Sequence, residues 1–91
     1  MASTLPLLAE FLGTFLLVLS IIASGGNAFV VGGTLAVVIL LIGAMSGGQV
    51  NPAVSFAMFM RGAMTTQELA SYVAAQLLGG AASVYAYSAF A

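Results

Sequence analysis

The 91 residues include three charged side chains, Glu10, Arg61 and Glu68, and 63% of the chain is hydrophobic. About a quarter of the residues of a typical soluble domain are charged, so this composition excludes an ordinary soluble domain and predicts an integral membrane protein. The chain has no Cys and no His, which argues against disulfides, thiol metal sites and transition-metal catalysis, and the lack of a basic patch argues against nucleic-acid binding. We therefore expect no cofactor and no nucleic-acid partner. We also expect that the protein is not an enzyme.

The first predicted element is a membrane span over residues 5–23. Its apolar run has the length of a transmembrane helix, and no Lys or Arg precedes it as in a signal peptide. Glu10 lies inside this span, where an ionisable group is costly and usually belongs to a functional site. The alternative is a carboxyl group solvated near the membrane interface. We favour a site, because the polar loop after residue 46 offers N–H groups to an interior acceptor.

The second predicted span covers residues 28–45. It follows Ser24-Gly25-Gly26-Asn27, which is the only turn signal between the first two apolar runs.

A polar break follows, with the sequence Ser46-Gly47-Gly48-Gln49-Val50-Asn51-Pro52-Ala53-Val54-Ser55. Asn51 is suited to cap a helix, and Pro52 suits the first helical position. The predicted helix over residues 52–61 would be about 15 Å long, half of a hydrocarbon core of about 30 Å. Irregular backbone at membrane depth must be buried in protein or line water, so this pattern predicts a re-entrant loop and half-helix over residues 46–61.

The third predicted span covers residues 67–89 and carries Gln76 in its interior. A turn precedes it, in which Thr65 or Thr66 can cap the helix ahead of Glu68.

Two sets of small residues are spaced for contact between helices in lipid. Gly43 and Gly47 are four residues apart, and so are Ala75, Gly79 and Ser83. This spacing lets two helices approach closely. General packing of the helix bundle is the simplest explanation for either set.

These elements predict one domain over residues 1–91, with three membrane crossings and with the two termini on opposite faces. Orientation in a membrane follows the distribution of Lys and Arg. A single Arg, Arg61, gives a very weak bias, so insertion in both orientations is permitted. The residues do not identify the membrane, for which we expect a plasma membrane or an inner membrane.

Three sequence blocks occur in order: Ala9-Glu10-Phe11-Leu12-Gly13-Thr14-Phe15, then residues 46–55, then Tyr72-Val73-Ala74-Ala75-Gln76-Leu77-Leu78-Gly79-Gly80. Together they span essentially the whole chain and resemble the first half of an aquaporin or glycerol facilitator. That family is built as two inverted halves, with six spans and two Asn-Pro-Ala half-helices that meet at the midplane. The resemblance implies an all-α membrane fold and a passive channel for water or small neutral solutes such as glycerol.

The resemblance also implies roles for individual residues. Asn51 would donate its side-chain N–H to a solute oxygen, and the N-terminus of the half-helix would repel protons and cations. Glu10, with Gln76, would brace the re-entrant loop. The implied pore and solute-binding residues are Gly47, Gly48, Gln49, Val50, Asn51, Pro52 and Ala53.

The chain departs from the family pattern around the expected selectivity filter. Gln49 stands where relatives usually have His, and Val54 follows the Asn-Pro-Ala motif where the second half of a relative has Arg. Val31 stands where an aromatic residue usually narrows the pore. We therefore expect a wider and more apolar constriction formed by Val31, Gly48 and Val54, which would admit solutes larger than water.

The leading hypothesis is a pore assembled from two inverted copies of the chain. It requires an antiparallel homodimer, and eight chains would supply four such pores. The alternatives are a non-conducting membrane scaffold or regulatory half-channel, and an inert fragment of a longer channel. Membrane lipid and a small neutral solute are the other expected partners.

Overall fold

The computed structural model describes residues 4–90, which form four α-helices and no β-strand. The helices are α1 (Thr4–Ser24), α2 (Ala28–Ser46), α3 (Pro52–Met60) and α4 (Thr66–Phe90). The helices α1, α2 and α4 are long and apolar enough to cross a membrane. The predicted all-α class and the three long apolar helices are therefore confirmed, with ends that differ from the predicted ones by one residue.

The helix α1 is the centre of the bundle. It packs against α2 on one side and against α4 on the other, while α3 packs against α4. The longest dimension of the molecule is 39 Å, enough to cross a hydrocarbon core of about 30 Å. The short helix α3 has 9 residues and is therefore only about 14 Å long.

The most deeply buried side chains are polar. Glu10 and Ser55 are fully buried and Gln76 is 1% exposed, whereas Phe29 is 91% exposed and Leu40 is 83% exposed. A soluble protein hides its large apolar side chains, because water contact with them is unfavourable. The reversed arrangement suits a bundle whose outer surface faces lipid or further apolar protein.

Polar side chains define the start of each of the three later helices. Asn27 caps α2, and its Oδ1 accepts hydrogen bonds from the backbone N–H groups of Phe29 and Val30. Asn51 caps α3 in the predicted way. Of the two threonines considered for α4, Thr65 forms the cap: its Oγ1 accepts from the Glu68 N–H at 3.0 Å, and Glu68 accepts from the Thr65 N–H at 2.9 Å. This reciprocal pair is a capping box.

The small residues of α4 allow a close approach to α1. Gly79 lies directly against the backbone of Phe11, leaving no room for a Cβ atom, and Ser83, one turn further on, is also buried. For Gly43 the predicted helix contact is wrong within residues 4–90. The nearest atom to a Cβ at this position belongs to Ile39 of the same helix.

Replacing Gly79 with Ala should separate α1 from α4, because the new methyl group would overlap the carbonyl oxygen of Phe11. Overpacking of this kind typically costs roughly 1–3 kcal/mol. Gly80→Ala is the matched control, since a Cβ at that position meets only Val18, at 3.7 Å. Unfolding of the detergent-solubilised protein by SDS, followed by circular dichroism, measures the difference. Superimposable unfolding curves for the two variants would contradict this packing.

Candidate functional site

The loop between α2 and α3 returns to the middle of the bundle. A Cβ atom at Gly48 would lie 3.2 Å from the Cα of Ile39, midway along α2. Val50 is buried, and its side chain packs against Gly13, midway along α1. The helix α3 therefore begins level with the centres of the long helices and not at one end of the bundle.

The loop backbone has an unusual conformation. Gly47 and Gly48 have φ angles of 92° and 61°, which glycine adopts without steric cost. Val50 has φ 45°, and a β-branched residue in this left-handed region is strained by about 1–3 kcal/mol. Contacts around the loop must therefore hold Val50 in place.

Glu10 provides the principal contact with this loop. Its Oε2 accepts hydrogen bonds from the hydroxyl of Ser46 at 2.6 Å and from the N–H of Gln49 at 3.0 Å. Its Oε1 accepts from the N–H of Val50 at 2.7 Å and from Nε2 of Gln76 at 2.9 Å. Of the two positions considered for Glu10, the structure shows the buried one: the side chain is fully buried and accepts N–H groups of the loop.

A second set of hydrogen bonds joins α4 to α3 and the loop. Gln76 Nε2 also donates to Ser55 Oγ at 2.8 Å, and Ser55 Oγ donates to Gln49 Oε1 at 2.5 Å. Tyr72 donates its hydroxyl proton to the carbonyl of Ser46 at 2.8 Å. Side chains from all four helices thus meet in one polar cluster at the centre of the bundle.

Ser46, Ser55 and Tyr72 were not among the residues predicted for this cluster. The sequence does carry a signal for each of them. Ser46 opens the polar break, Ser55 lies one helical turn after Asn51, and Tyr72 lies one turn before Gln76. Residues one turn apart share a helix face, so each could have been placed beside a predicted site residue.

The loop directs its backbone donors inward and leaves its acceptors free. The N–H groups of Gly48, Gln49 and Val50 are bonded to Ser46 or Glu10. The carbonyl groups of residues 47–50 accept no hydrogen bond from any residue between 4 and 90. Gly47 is exposed and Gln49 half-buried, whereas Gly48 and Val50 are buried.

Asn51 lies at the exposed tip of α3. Its Oδ1 accepts from the N–H of Ala53 at 2.8 Å, while its Nδ2 has no hydrogen-bond partner within the described part of the chain. Pro52, Ala53 and Val54 are exposed as well. The N-terminal end of α3 therefore presents an amide donor together with the positive end of a helix dipole.

The residues expected to form the constriction are not all neighbours within one copy. Gly48 packs beside Ile39, whereas Val31 lies eight residues earlier on α2, about 12 Å away along the helix axis. Val54 is 38% exposed on α3. Val31 and Gly48 are therefore at different depths in the bundle.

Two buried polar atoms in this region, Thr14 Oγ1 and Gln76 Oε1, have no hydrogen-bond partner. Residues 4–90 hold no group of His, Cys, Asp and Glu side chains that could bind a metal ion.

Comparison with known proteins identifies relatives over nearly the whole chain. The family model described as "Major intrinsic protein" matches residues 2–90. Aquaglyceroporin AqpS of Rhizobium meliloti is 35% identical over 89 residues, which include 81% of this chain. Aquaporin-9 of Homo sapiens is 42% identical over 95 aligned positions, with 86% of this chain covered. Glycerol uptake facilitator protein-like 6 of Lactiplantibacillus plantarum is 32% identical, with 91% of this chain covered.

The chain corresponds to only part of these relatives. The alignments cover 38%, 32% and 42% of the three proteins, respectively. No solved structure gives a significant match. Because the family model matches residues 2–90 and three helices can cross a membrane, this chain belongs to the major intrinsic protein family and is an integral membrane protein.

Proposed function

We propose that this chain forms half of a passive channel for water and small neutral solutes such as glycerol. The observation that carries the proposal is the division of polar groups in the loop. Its N–H groups are bonded to Glu10 and Ser46, while the carbonyls of residues 47–50 and Nδ2 of the exposed Asn51 have no hydrogen-bond partner among residues 4–90. The names of the relatives, aquaglyceroporin and glycerol uptake facilitator, support this class of solute.

The position of α3 supports a re-entrant segment. A helix of about 14 Å that begins level with Gly13 and Ile39 reaches from the middle of the membrane to one surface. Free carbonyl groups at that depth are tolerated only where they are buried in protein or line water. We infer that the loop and the tip of α3 line a path that contains water.

The polar groups along this path are suited to a neutral solute. The carbonyls of residues 47–50 accept hydrogen bonds, and Asn51 Nδ2 donates one, so a hydroxyl group can exchange its water contacts for protein contacts. The positive end of the α3 dipole disfavours cations. No covalent step is needed, since the solute passes unchanged.

A second half is needed to close the path. The tip of α3 is exposed, and a polar tip cannot face hydrocarbon at mid-membrane depth. A second copy in the opposite orientation would place a second α3 tip against the first, in the inverted-repeat arrangement known from transporters. Val31, Gly48 and Val54 would then contribute to the same wide, apolar constriction at each mouth of the pore, with eight chains for four pores. A non-conducting scaffold or regulatory half-channel, or a path completed by further sequence on the same polypeptide, are the competing possibilities.

Asn51→Ala should reduce solute flux, because it removes the donor proposed to face the path. Stopped-flow light scattering on proteoliposomes, with water and glycerol gradients, measures the flux. Asn27→Ala is the matched control: it also deletes a helix cap, worth about 0.5–2 kcal/mol, but at a turn outside the proposed path. We expect a fall of several-fold for Asn51→Ala and little change for Asn27→Ala at equal protein density. Equal flux in both variants would remove Asn51 from the pore, and no flux in the parent would favour a scaffold or an inert fragment.

Glu10→Leu should distort the loop, because four hydrogen bonds to the carboxyl group are lost. Each buried donor left unsatisfied costs about 1–3 kcal/mol. Glu10→Gln should be milder, since it keeps one acceptor oxygen, although its NH₂ group would face other donors. Thermal unfolding in detergent and flux in proteoliposomes check both effects. A Glu10→Leu protein as stable and as conductive as the parent would show that the carboxyl group does not hold the loop.

The antiparallel arrangement predicts that both faces of the membrane carry the same turn. The chain has no Cys, so Ala63→Cys, in the exposed turn between α3 and α4, provides a single labelling site. Membrane-impermeant maleimide should modify about half of the molecules from either side of sealed vesicles. Modification from one side only would rule out an antiparallel dimer and favour a path completed by further sequence.

A further inference from the structure

We infer that Gln49 is a specificity-determining residue of the proposed channel, presenting its side-chain NH₂ group to the solute as a fixed hydrogen-bond donor. Its orientation is imposed by a chain of hydrogen bonds that starts at Glu10 and passes through Gln76 and Ser55. The inference rests on the proposed function. It adds a solute-binding side chain at a position where only backbone carbonyls were considered above.

The first step fixes the orientation of Gln76. Glu10 Oε1 already accepts the N–H of Val50 at 2.7 Å, so it can offer Gln76 only a lone pair. The Gln76 side chain must therefore approach with its nitrogen, at 2.9 Å. Its oxygen is turned away and is buried without a partner. The amide orientation is assigned from the hydrogen-bond network, and here the bonds of Nε2 to Glu10 and Ser55 assign it.

The second step fixes the direction of the Ser55 hydroxyl. Gln76 Nε2 has a second proton, which it donates to Ser55 Oγ at 2.8 Å. A hydroxyl group has one proton to donate, and that of Ser55 points to the Gln49 side chain at 2.5 Å. Ser55 is fully buried, so water cannot replace either partner. Gln49 must therefore present its oxygen to Ser55.

The third step concerns what remains of the Gln49 side chain. With Oε1 bonded to Ser55, its Nε2 carries two N–H groups and has no partner within residues 4–90. Gln49 is half-buried, and its nitrogen is not fully enclosed by the bundle. It lies over Gly47, 3.5 Å from the position of a Cβ there, and the lack of a side chain at Gly47 leaves it uncovered.

The result is a second fixed donor beside that of Asn51. Asn51 Oδ1 is occupied by the α3 cap, just as Gln49 Oε1 is occupied by Ser55, so both amides turn nitrogen towards the proposed path. Two donors next to the free carbonyls favour neutral solutes with several hydroxyl or carbonyl oxygens over water alone. Loss of the Gln49 donor should therefore slow a polyol more than it slows water.

The test compares glycerol and water permeability in proteoliposomes of the full chain. Gln49→Met removes the donor at similar length, and Ser55→Ala releases the Gln49 amide. The loss of one hydrogen bond predicts a fall in the glycerol-to-water permeability ratio of roughly three- to tenfold for both variants. Ser55→Thr keeps the hydroxyl group and should restore the ratio to within about twofold of the parent. Ser88→Ala, which removes an exposed hydroxyl bonded only within its own helix, is the control.

Hydrogen exchange of the side-chain amides tests the orientation without any flux. The chain has three glutamines, Gln49, Gln67 and Gln76, which nitrogen-15 NMR in nanodiscs can resolve. We expect slow exchange for the Gln76 NH₂ group and exchange for Gln49 nearer to that of exposed Gln67. A protected Gln49 NH₂ group would overturn the inference. If the parent conducts, an unchanged permeability ratio in Gln49→Met and Ser55→Ala would overturn the inference. If the parent shows no flux, the proposed function is overturned as well.

Discussion

The buried carboxyl group of Glu10 is the interaction on which the rest of the site depends. It is the acceptor for two successive backbone N–H groups, of Gln49 and Val50, in a loop whose backbone is otherwise strained at Val50. Without that acceptor, these donors would need water or another acceptor in an apolar surrounding. The carboxyl group thereby determines where the N–H groups of the loop point.

The packing of the long helices is what brings the hydrogen-bonding partners together. Apolar burial drives little helix association in lipid, so close packing of small residues and hydrogen bonds between helices matter more. Gly79 lets α4 touch the backbone at Phe11, the residue next to Glu10. Gln76 lies one turn earlier on α4 and so comes within 2.9 Å of the Glu10 carboxyl group. A bulkier residue at position 79 would move α4 away from α1 and lengthen the hydrogen bond between Gln76 and Glu10. It would thereby disturb the loop without touching any loop residue.

Local signals predicted much of this arrangement, because they depend on residues close in sequence. The apolar runs gave three long helices, and Asn51-Pro52 gave the start of α3. The partners of Glu10 were harder to predict, since Gln76 is 66 residues away and the contact depends on how two helices rotate. The same applies to Gly43, whose spacing indicated a helix contact that α1, α3 and α4 do not supply.

The direction of the hydrogen bonds explains how a group that is not exposed can set the chemistry of the proposed path. The acceptor at Glu10 binds the N–H groups of Gln49 and Val50, and the loop carbonyls stay unbonded by residues 4–90. The same acceptor binds the nitrogen of Gln76. Gln76 then donates to Ser55, and Ser55 donates to the oxygen of Gln49. By this order of donors and acceptors, we infer that the Gln49 nitrogen faces outward. Backbone acceptors and side-chain donors then stand side by side, as a hydroxyl-bearing solute requires, since each hydroxyl both donates and accepts. An ion needs many groups of the same polarity to replace its hydration shell. A pore surface that alternates donors and acceptors does not provide them. In the proposed channel, selection for neutral polar solutes would follow from one buried acceptor and the order of partners around it.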